Sequence, residues 1–494
     1  MQNSFWRRLS KLLILPRLPK LPIPAPPQAT TETKMKKFFL VSVVFCLFLL
    51  ISCGSSSKNE DKTDSGDTAT GEDSDTTDSD SPDNSEPADD SDSRSEPDDD
   101  ADNDTDAAPT EEDPAEPDAD DPESVADLSE AGTANCYIVQ TEGKYSFDAT
   151  VRGNGKKIEG IDFTEEKLHP ADVKLIWQSD RNGLIDSLSL KDGRIHFSAK
   201  NSGGNALVAA LDEAGNIIWS WHIWLLDEDI TDIKTADGVM VTDRNLGATS
   251  LDPESPESHG LLYQWGRKDP FPASPIVSGG TTSTLPLPLY DADGNEVEIA
   301  HSSRENNESN TLDYAVSNPT TVLSNNAQYA ECRDWLRKEL ANTALWGGKE
   351  GGKSLFDPCP AGYRVPKTGT FDFFTSSGGY ETDIAGFSVF DITSDGVIDG
   401  NDYKNGWYIL LDPASDSYSY FPAAARYDGS YAMLMGSKAG LWGNYWYADA
   451  DNAEDSFVPC GSYALAFQYE DQISASPKAV GGRADGYSVR CVRE

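Results

Sequence analysis

The chain is poor in the residue types on which much catalytic and metal chemistry depends. Its five histidines (His169, His196, His222, His259 and His301) are scattered. They show no His-Glu-x-x-His spacing, which excludes a helix-borne zinc pair of that kind. No Gly-x-Ser-x-Gly turn is present to expose a nucleophilic serine, and no glycine-rich loop is spaced to cradle a phosphate. The seven cysteines include no Cys-x-x-Cys pair, so the short redox motif is missing. Basic residues are scarce, with 40 Lys and Arg against 84 Asp and Glu, a net charge of -44. That balance repels nucleic acid and anionic lipid, so neither is expected as a partner of the folded part. A pair of catalytic carboxylates cannot be located among so many acids.

The charge is concentrated. From Gly54 to Val125 there are 29 acidic residues against Lys58, Lys62 and Arg94, and no aromatic residue. A stretch with so little apolar surface cannot offset the entropy of ordering its backbone, so 53–127 reads as a disordered acidic linker. As a neutral coil it would span about 45 Å, and more under its own repulsion.

Only one long apolar run occurs. Met35-Lys36-Lys37 opens it, and Phe38 to Ile51 carries no charge. It is short for a membrane span and right for the apolar part of an export signal over 35–52. Leu50-Ile51-Ser52-Cys53 resembles the lipobox of bacterial lipoproteins, which implies that Cys53 is lipidated and becomes the mature N-terminus. The expected partner is therefore the membrane, through a lipid anchor, most simply at the outer membrane with the folded part exposed. Residues 1–34, with Trp6-Arg7-Arg8 and the Pro-rich tract Pro16 to Pro27, would make a very long leader. Translation is expected to start at Met35.

Order begins near Leu128. Residues 134–140, 144–149, 172–178, 185–190, 194–199, 206–211 and 217–224 read as short strands. Turn signals separate them, such as Lys191-Asp192-Gly193 and Asp212-Glu213-Ala214-Gly215-Asn216. Ile217, Trp219, Trp221 and Ile223 share one face by period-two alternation, and Trp219, Trp221 and Trp224 read as core. An all-β sandwich over 128–230 is expected. The remainder, 231–494, reads as α+β. Its one helix is expected over 327–340, where Tyr329, Cys332, Leu336 and Leu340 recur at three- and four-residue steps.

Five segments in the second half occur in a telling order. They are Asp243-Arg244-Asn245-Leu246-Gly247-Ala248, Tyr263-Gln264-Trp265-Gly266, Asp357-Pro358-Cys359-Pro360-Ala361-Gly362-Tyr363-Arg364-Val365-Pro366, Gly443-Asn444-Tyr445-Trp446-Tyr447, and Gly486-Tyr487-Ser488-Val489-Arg490-Cys491-Val492. Together they resemble the Fibrobacter succinogenes major paralogous domain family of bacterial surface lipoproteins. The upstream Trp-Ser-Trp-His-Ile-Trp strand resembles a fimbrillin-like partner domain. The resemblance implies a multidomain protein whose C-terminal domain is related to C-type lectins and formylglycine-generating enzymes, with no settled activity. It also implies a Cys359–Cys491 disulfide. Beyond Cys53, five cysteines remain in the mature chain (Cys136, Cys332, Cys359, Cys460 and Cys491), enough for two bridges and one thiol.

Asp391 to Asp402 reads as an EF-hand-type loop, similar to that of dockerins, with calcium as the implied ion. Ligands would come from Asp391, Thr393, Asp395, the Val397 carbonyl, Asp399 and Asp402, with Gly396 at the sharp turn. Thr393 stands where Asp or Asn is usual, and a strand-like run, Tyr403 to Leu411, follows where a helix belongs. The alternative is an acidic loop between strands. Trp407, Tyr408, Tyr418, Tyr420, Phe421, Trp442, Tyr445, Trp446 and Tyr447 read mostly as core, with sugar stacking as the alternative. The Glu-Pro-Asn, Gln-Pro-Asp and Trp-Asn-Asp motifs of calcium-dependent lectins are missing from 231–494. Extracellular binding or adhesion, to a glycan or a protein, is the expected function. An enzyme on the formylglycine-generating scaffold and a fimbrial subunit are the rivals.

The anchor is directly testable. Cys53→Ala should move the chain from the membrane to the soluble fraction and abolish metabolic labelling with fatty acid, whereas unchanged partitioning would refute lipidation at this residue.

Overall fold

A computed structural model of the chain describes residues 124–494 apart from 164, 201–202, 279–283, 303–306, 326–331, 349–351, 404, 452–455, 457 and 471. Cys53, the apolar run and nearly all of the acidic linker lie outside the described residues. What is described is mostly β-sheet with almost no helix.

The first eight strands are β1 (Ala126–Asp127), β2 (Cys136–Val139), β3 (Gly143–Asp148), β4 (Asp172–Gln178), β5 (Ile185–Lys191), β6 (Arg194–Ala199), β7 (Gly204–Leu211) and β8 (Ile217–Leu225). They form two four-stranded sheets, ordered β1-β3-β6-β5 and β2-β8-β7-β4. Facing side chains meet between the sheets: the Phe147 ring lies 4.6 Å from Tyr137 and 5.2 Å from Trp221. The expected hairpin of β7 and β8 is present, with Ala210 opposite Trp219 and Val208 opposite Trp221.

Strand β8 departs from simple alternation, since Trp219 through Leu225 are all buried. The reason is that both of its faces are covered. Trp221 faces the other sheet, while Ser220 and Trp224 reach residues beyond position 230. The Ser220 hydroxyl donates to Asp269 Oδ1 (2.6 Å), and Trp224 Nε1 donates to the Ala248 carbonyl (3.2 Å). Trp219 packs on Phe356, with ring centroids 5.4 Å apart. One buried cluster includes residues from Cys136 to Cys491, so side chains on either side of position 230 share one core, and the described residues form one compact unit.

The later strands are β9 (Asp232–Lys234), β10 (Met240–Thr242), β11 (Leu261–Gln264), β12 (Phe271–Pro272), β13 (Ala300–His301), β14 (Thr321–Val322), β15 (Tyr363–Arg364), β16 (Gly406–Asp412), β17 (Ser417–Pro422), β18 (Tyr427–Asp428), β19 (Met433–Leu434), β20 (Trp442–Ala450), β21 (Gly461–Tyr469), β22 (Ile473–Gly482), β23 (Gly486–Ser488) and β24 (Val492–Arg493). The largest sheet runs β12-β11-β23-β20-β21-β22, with β18 and β19 joined at β23. A second, aromatic cluster of Phe371, Phe374, Trp407, Phe421, Tyr445, Tyr447 and Phe467 fills the space between this sheet and the β16–β17 hairpin.

The helix expected over 327–340 is not formed in its described part. Residues 332–337 are irregular and only Lys338–Leu340 make a 3-10 turn. Tertiary bonds take the backbone groups that a helix would need. Cys332 is bonded to Cys460, the Arg333 amide donates to Pro459 O (2.8 Å), and Asn310 Nδ2 donates to Trp335 O. The α-helix among the described residues is α1 (Leu312–Ser317), capped by Thr311.

Burial fixes a pH dependence. His222 and His259 lie at 1% exposure, and burial pushes them down to about 3 and about 4 respectively. The unfolded chain takes up protons at these sites near pH 6.5 while the folded chain does not, so stability is lost as pH falls from 7 toward 4. The urea midpoint should drop over that window, and His222→Gln should shallow the drop. An identical slope in the variant would contradict this.

Candidate functional site

The segments that carry the family resemblance are structural members, and their buried charged groups are hydrogen-bonded inside the protein. Arg490 is fully buried. It donates to Asn245 Oδ1 from Nε (3.1 Å) and Nη2 (3.0 Å), to Ser419 Oγ (2.9 Å) and to the Tyr420 carbonyl (2.7 Å). Burial lowers its pKa to about 10, with the nearby Tyr445 and Asp243 opposing, so it stays charged at neutral pH. Gln264 is equally committed, donating to Leu323 O (2.7 Å) and Ala484 O (2.6 Å) while accepting from the Leu323 amide (3.0 Å). Gly266, at φ +84°, lets the chain turn where a Cβ would lie 2.5 Å from a Leu345 methyl.

Asp357 organises the third segment. Its Oδ1 accepts from Lys353 Nζ (2.8 Å) and the Cys359 amide (2.9 Å), and its Oδ2 from the Val365 amide (2.9 Å). Cys359 is bonded to Cys491, the pairing that the resemblance implied, and Cys332 to Cys460, a pairing that the sequence left open. Cys136 is the buried free thiol among the described residues, and burial pushes its ionisation far up, which makes it a poor nucleophile.

Every expected calcium ligand is described, and their carboxylates serve the backbone. Asp391 accepts from Thr393 Oγ1 (3.0 Å) and from the amides of Ser394 (2.6 Å) and Gly396 (2.7 Å). Asp395 accepts from the Val397 amide (2.8 Å), and Asp399 from that of Asn401 (2.8 Å). Asp402 is fully buried and closes a capping box with Asp399, taking the Asp399 amide (2.9 Å) and the Ile392 amide (3.1 Å). The oxygen chemistry suits calcium, but among the described residues no three Asp, Glu, His or Cys side chains converge to hold a metal. The loop is a hydrogen-bonded lead-in to β16, and a strand follows as the run Tyr403 to Leu411 suggested.

The aromatic candidates divide. Trp407, Phe421, Tyr445, Trp446 and Tyr447 are core, at 1% exposure or less. The outward face of the hairpin is different. Tyr408 lies opposite Tyr420 and Leu410 opposite Tyr418, while Trp407, Ile409 and Leu411 point inward. Phe390 joins this face from a neighbouring segment, its amide donating to Tyr408 O (2.8 Å). It stacks on Tyr418 at 4.0 Å and 11°. Tyr418 is 45% exposed, and its ring lies 6.2 Å from Tyr408, which is 4.9 Å from Tyr420. The exposed acids Asp395 and Asp416 belong to the loops leading into and between these strands. Phe390 was not singled out from the sequence, although Phe387-Ser388-Val389-Phe390 carries the alternation of a strand.

A small recess lies elsewhere, lined by Arg267, Lys268, Asp269, Leu312, Trp335 and Phe356 among others. Its ionic groups face inward: Lys268 Nζ pairs with Asp269 Oδ1 (2.5 Å), and Arg267 donates to Gln264 Oε1 (3.0 Å) and Thr321 O (2.6 Å).

No family model matches this chain, and no curated protein or solved structure is significantly similar to it.

Proposed function

We propose that this protein is a surface-anchored binding or adhesion lipoprotein that contacts its ligand through the outward face of the β16–β17 hairpin. The observation that carries the reading is the row Phe390, Tyr418 and Tyr408, a patch of neighbouring rings, exposed at Tyr418 and half-buried at the other two, above a dense aromatic core. An aromatic row of this kind offers van der Waals contact to the apolar face of a sugar ring or to a protein side chain, at small entropic cost because the rings brace one another. Carboxylates in the adjoining loops would accept hydrogen bonds from ligand hydroxyls.

Three further features support binding over catalysis. The buried charged residues of the motifs are spent on internal hydrogen bonds, the free thiol is buried, and the recess near Arg267 is small with its charges already engaged. The two N-terminal sheets fit a β-sandwich. The remainder, with its short strands and long irregular connections, fits the lectin-like architecture that the motifs resemble. Cys53 supplies the lipid anchor in this account and the acidic linker the reach. No helix among the described residues is long and apolar enough to cross a membrane. The hairpin face as described needs no calcium from the 391–402 loop.

Glycan-array screening of the purified chain, followed by titration of any hit, tests the reading. Tyr418→Ala should weaken binding about tenfold, equivalent to about 1.4 kcal/mol, with little change in thermal midpoint because the ring is half in water. Undiminished binding by both Tyr418→Ala and Tyr408→Ala would move the site elsewhere. Turnover of a substrate without retained binding would favour an enzyme.

A further inference from the structure

A second acidic locus lies at the far end of β20, away from the loop expected to bind calcium. Asp449 and Asp451 are buried, at 3% and 7% exposure. Two carboxylates withdrawn from water ordinarily sit beside a Lys or Arg, yet among the described residues Asp449 forms no ion pair. Its Oδ2 accepts from the Thr368 amide, and its Oδ1 has no hydrogen-bond partner. Asp451 accepts from Ser456 Oγ and, at 3.4 Å, from Tyr463 Oη. The register that sets Ala450 opposite Ser462 puts Tyr463 beside both carboxylates, and burial, then Asp451 and Asp449, raise its phenol.

The surrounding oxygens are unusual. Thr368 Oγ1, on the residue whose amide caps Asp449, is buried without a partner. Tyr447 precedes Asp449 by two positions on the same face of β20 and is fully buried. Its Oη has no hydrogen-bond partner, and burial, then Asp372 and Asp449, hold its phenol well above the usual range. Buried polar atoms are rarely left unmade, because each orphan costs about 1–3 kcal/mol. Here three orphans gather at one uncompensated carboxylate.

We propose that Asp449 and Asp451, with the hydroxyls of Thr368 and Tyr447, hold a hard divalent cation of the calcium class. Two carboxylates neutralise its charge, the unpartnered oxygens become ligands, and water completes the six to eight positions that calcium takes. With so few charged ligands, its affinity belongs in the ~10⁻⁴–10⁻³ M range of extracellular modules. The ion would tie β20 to the segment after Pro366, whose carbonyl accepts from the Ala448 amide (2.8 Å). This site is independent of the hairpin face and stands if the binding reading fails.

The test is the thermal midpoint of the full chain in EDTA and in millimolar calcium, for the parent, Asp449→Asn and Asp391→Asn. Calcium should raise the midpoint of the parent and of Asp391→Asn but not that of Asp449→Asn. In EDTA, Asp449→Asn should match or exceed the parent, since it removes an unpaired buried charge. That result also separates loss of the ion from failure to fold. Calcium held loosely by the acidic linker binds folded and unfolded chains alike and so does not move the midpoint. If Asp449→Asn does not fold, Thr368→Val should lower calcium affinity several-fold in the same assay. No calcium response in the parent, a response that survives in Asp449→Asn, or an unchanged affinity in Thr368→Val would overturn the proposal.

Discussion

A guanidinium taken out of water must find an acceptor for each of its five N–H groups, and Arg490 does so with acceptors drawn from two distant parts of the chain. Its Nε and one N–H of Nη2 converge on Asn245, the other N–H of Nη2 reaches Tyr420 O, and Nη1 meets Ser419 Oγ and the Asp243 carbonyl. The same cation lies 4.2 Å over the Phe421 ring. None of these contacts can open alone without stranding a charged donor in the interior. The last motif, the segment Asp243-Arg244-Asn245 and strand β17 are therefore held as one piece. That constraint positions the outward face of the hairpin: Tyr418 and Tyr420 flank Ser419, one of the residues that Arg490 grips.

The second constraint is the burial of β8 on both faces. A strand with one wet face would leave the first two sheets as a separable module. Here Ser220 meets Lys268 and Asp269, Trp219 stacks near Phe356, and Asn135 donates to the carbonyls of Leu355 and Asp357. The segment bearing Asp357 and the Cys359–Cys491 disulfide is thus braced from the N-terminal side. A protein read as adhesive gains from such bracing, because load entering near β1 passes into a continuous core and not into a flexible joint.

Much of the strand pattern was legible. Period-two alternation and Asp-Gly turns place β2 to β8 within a few residues of their observed bounds, because local chemistry and tertiary burial agree there. One expectation failed for a tertiary reason. At 332–340 the apolar spacing is helical, but Cys332, Arg333 and Trp335 are committed to distant partners, and those bonds displace the local ladder. At 391–402 the acids fall at calcium spacing, and the structure adds the backbone amides bonded to them, which spacing alone does not report. Phe390 and Asp449 were beyond sequence reasoning for a related reason. The outward placement of the one and the unmatched burial of the other arise only when separate segments meet.

The claim that organises the rest is that the sheets before and after position 230 share one core. Native-state hydrogen exchange measures this most directly. Under increasing denaturant, the amides of β7 and β8 should open at the same free energy as those of β11 and β20, in a single cooperative step. Persistent protection of β7 and β8 after β11 and β20 have fully exchanged, or the reverse, would show two independent cores and contradict the account.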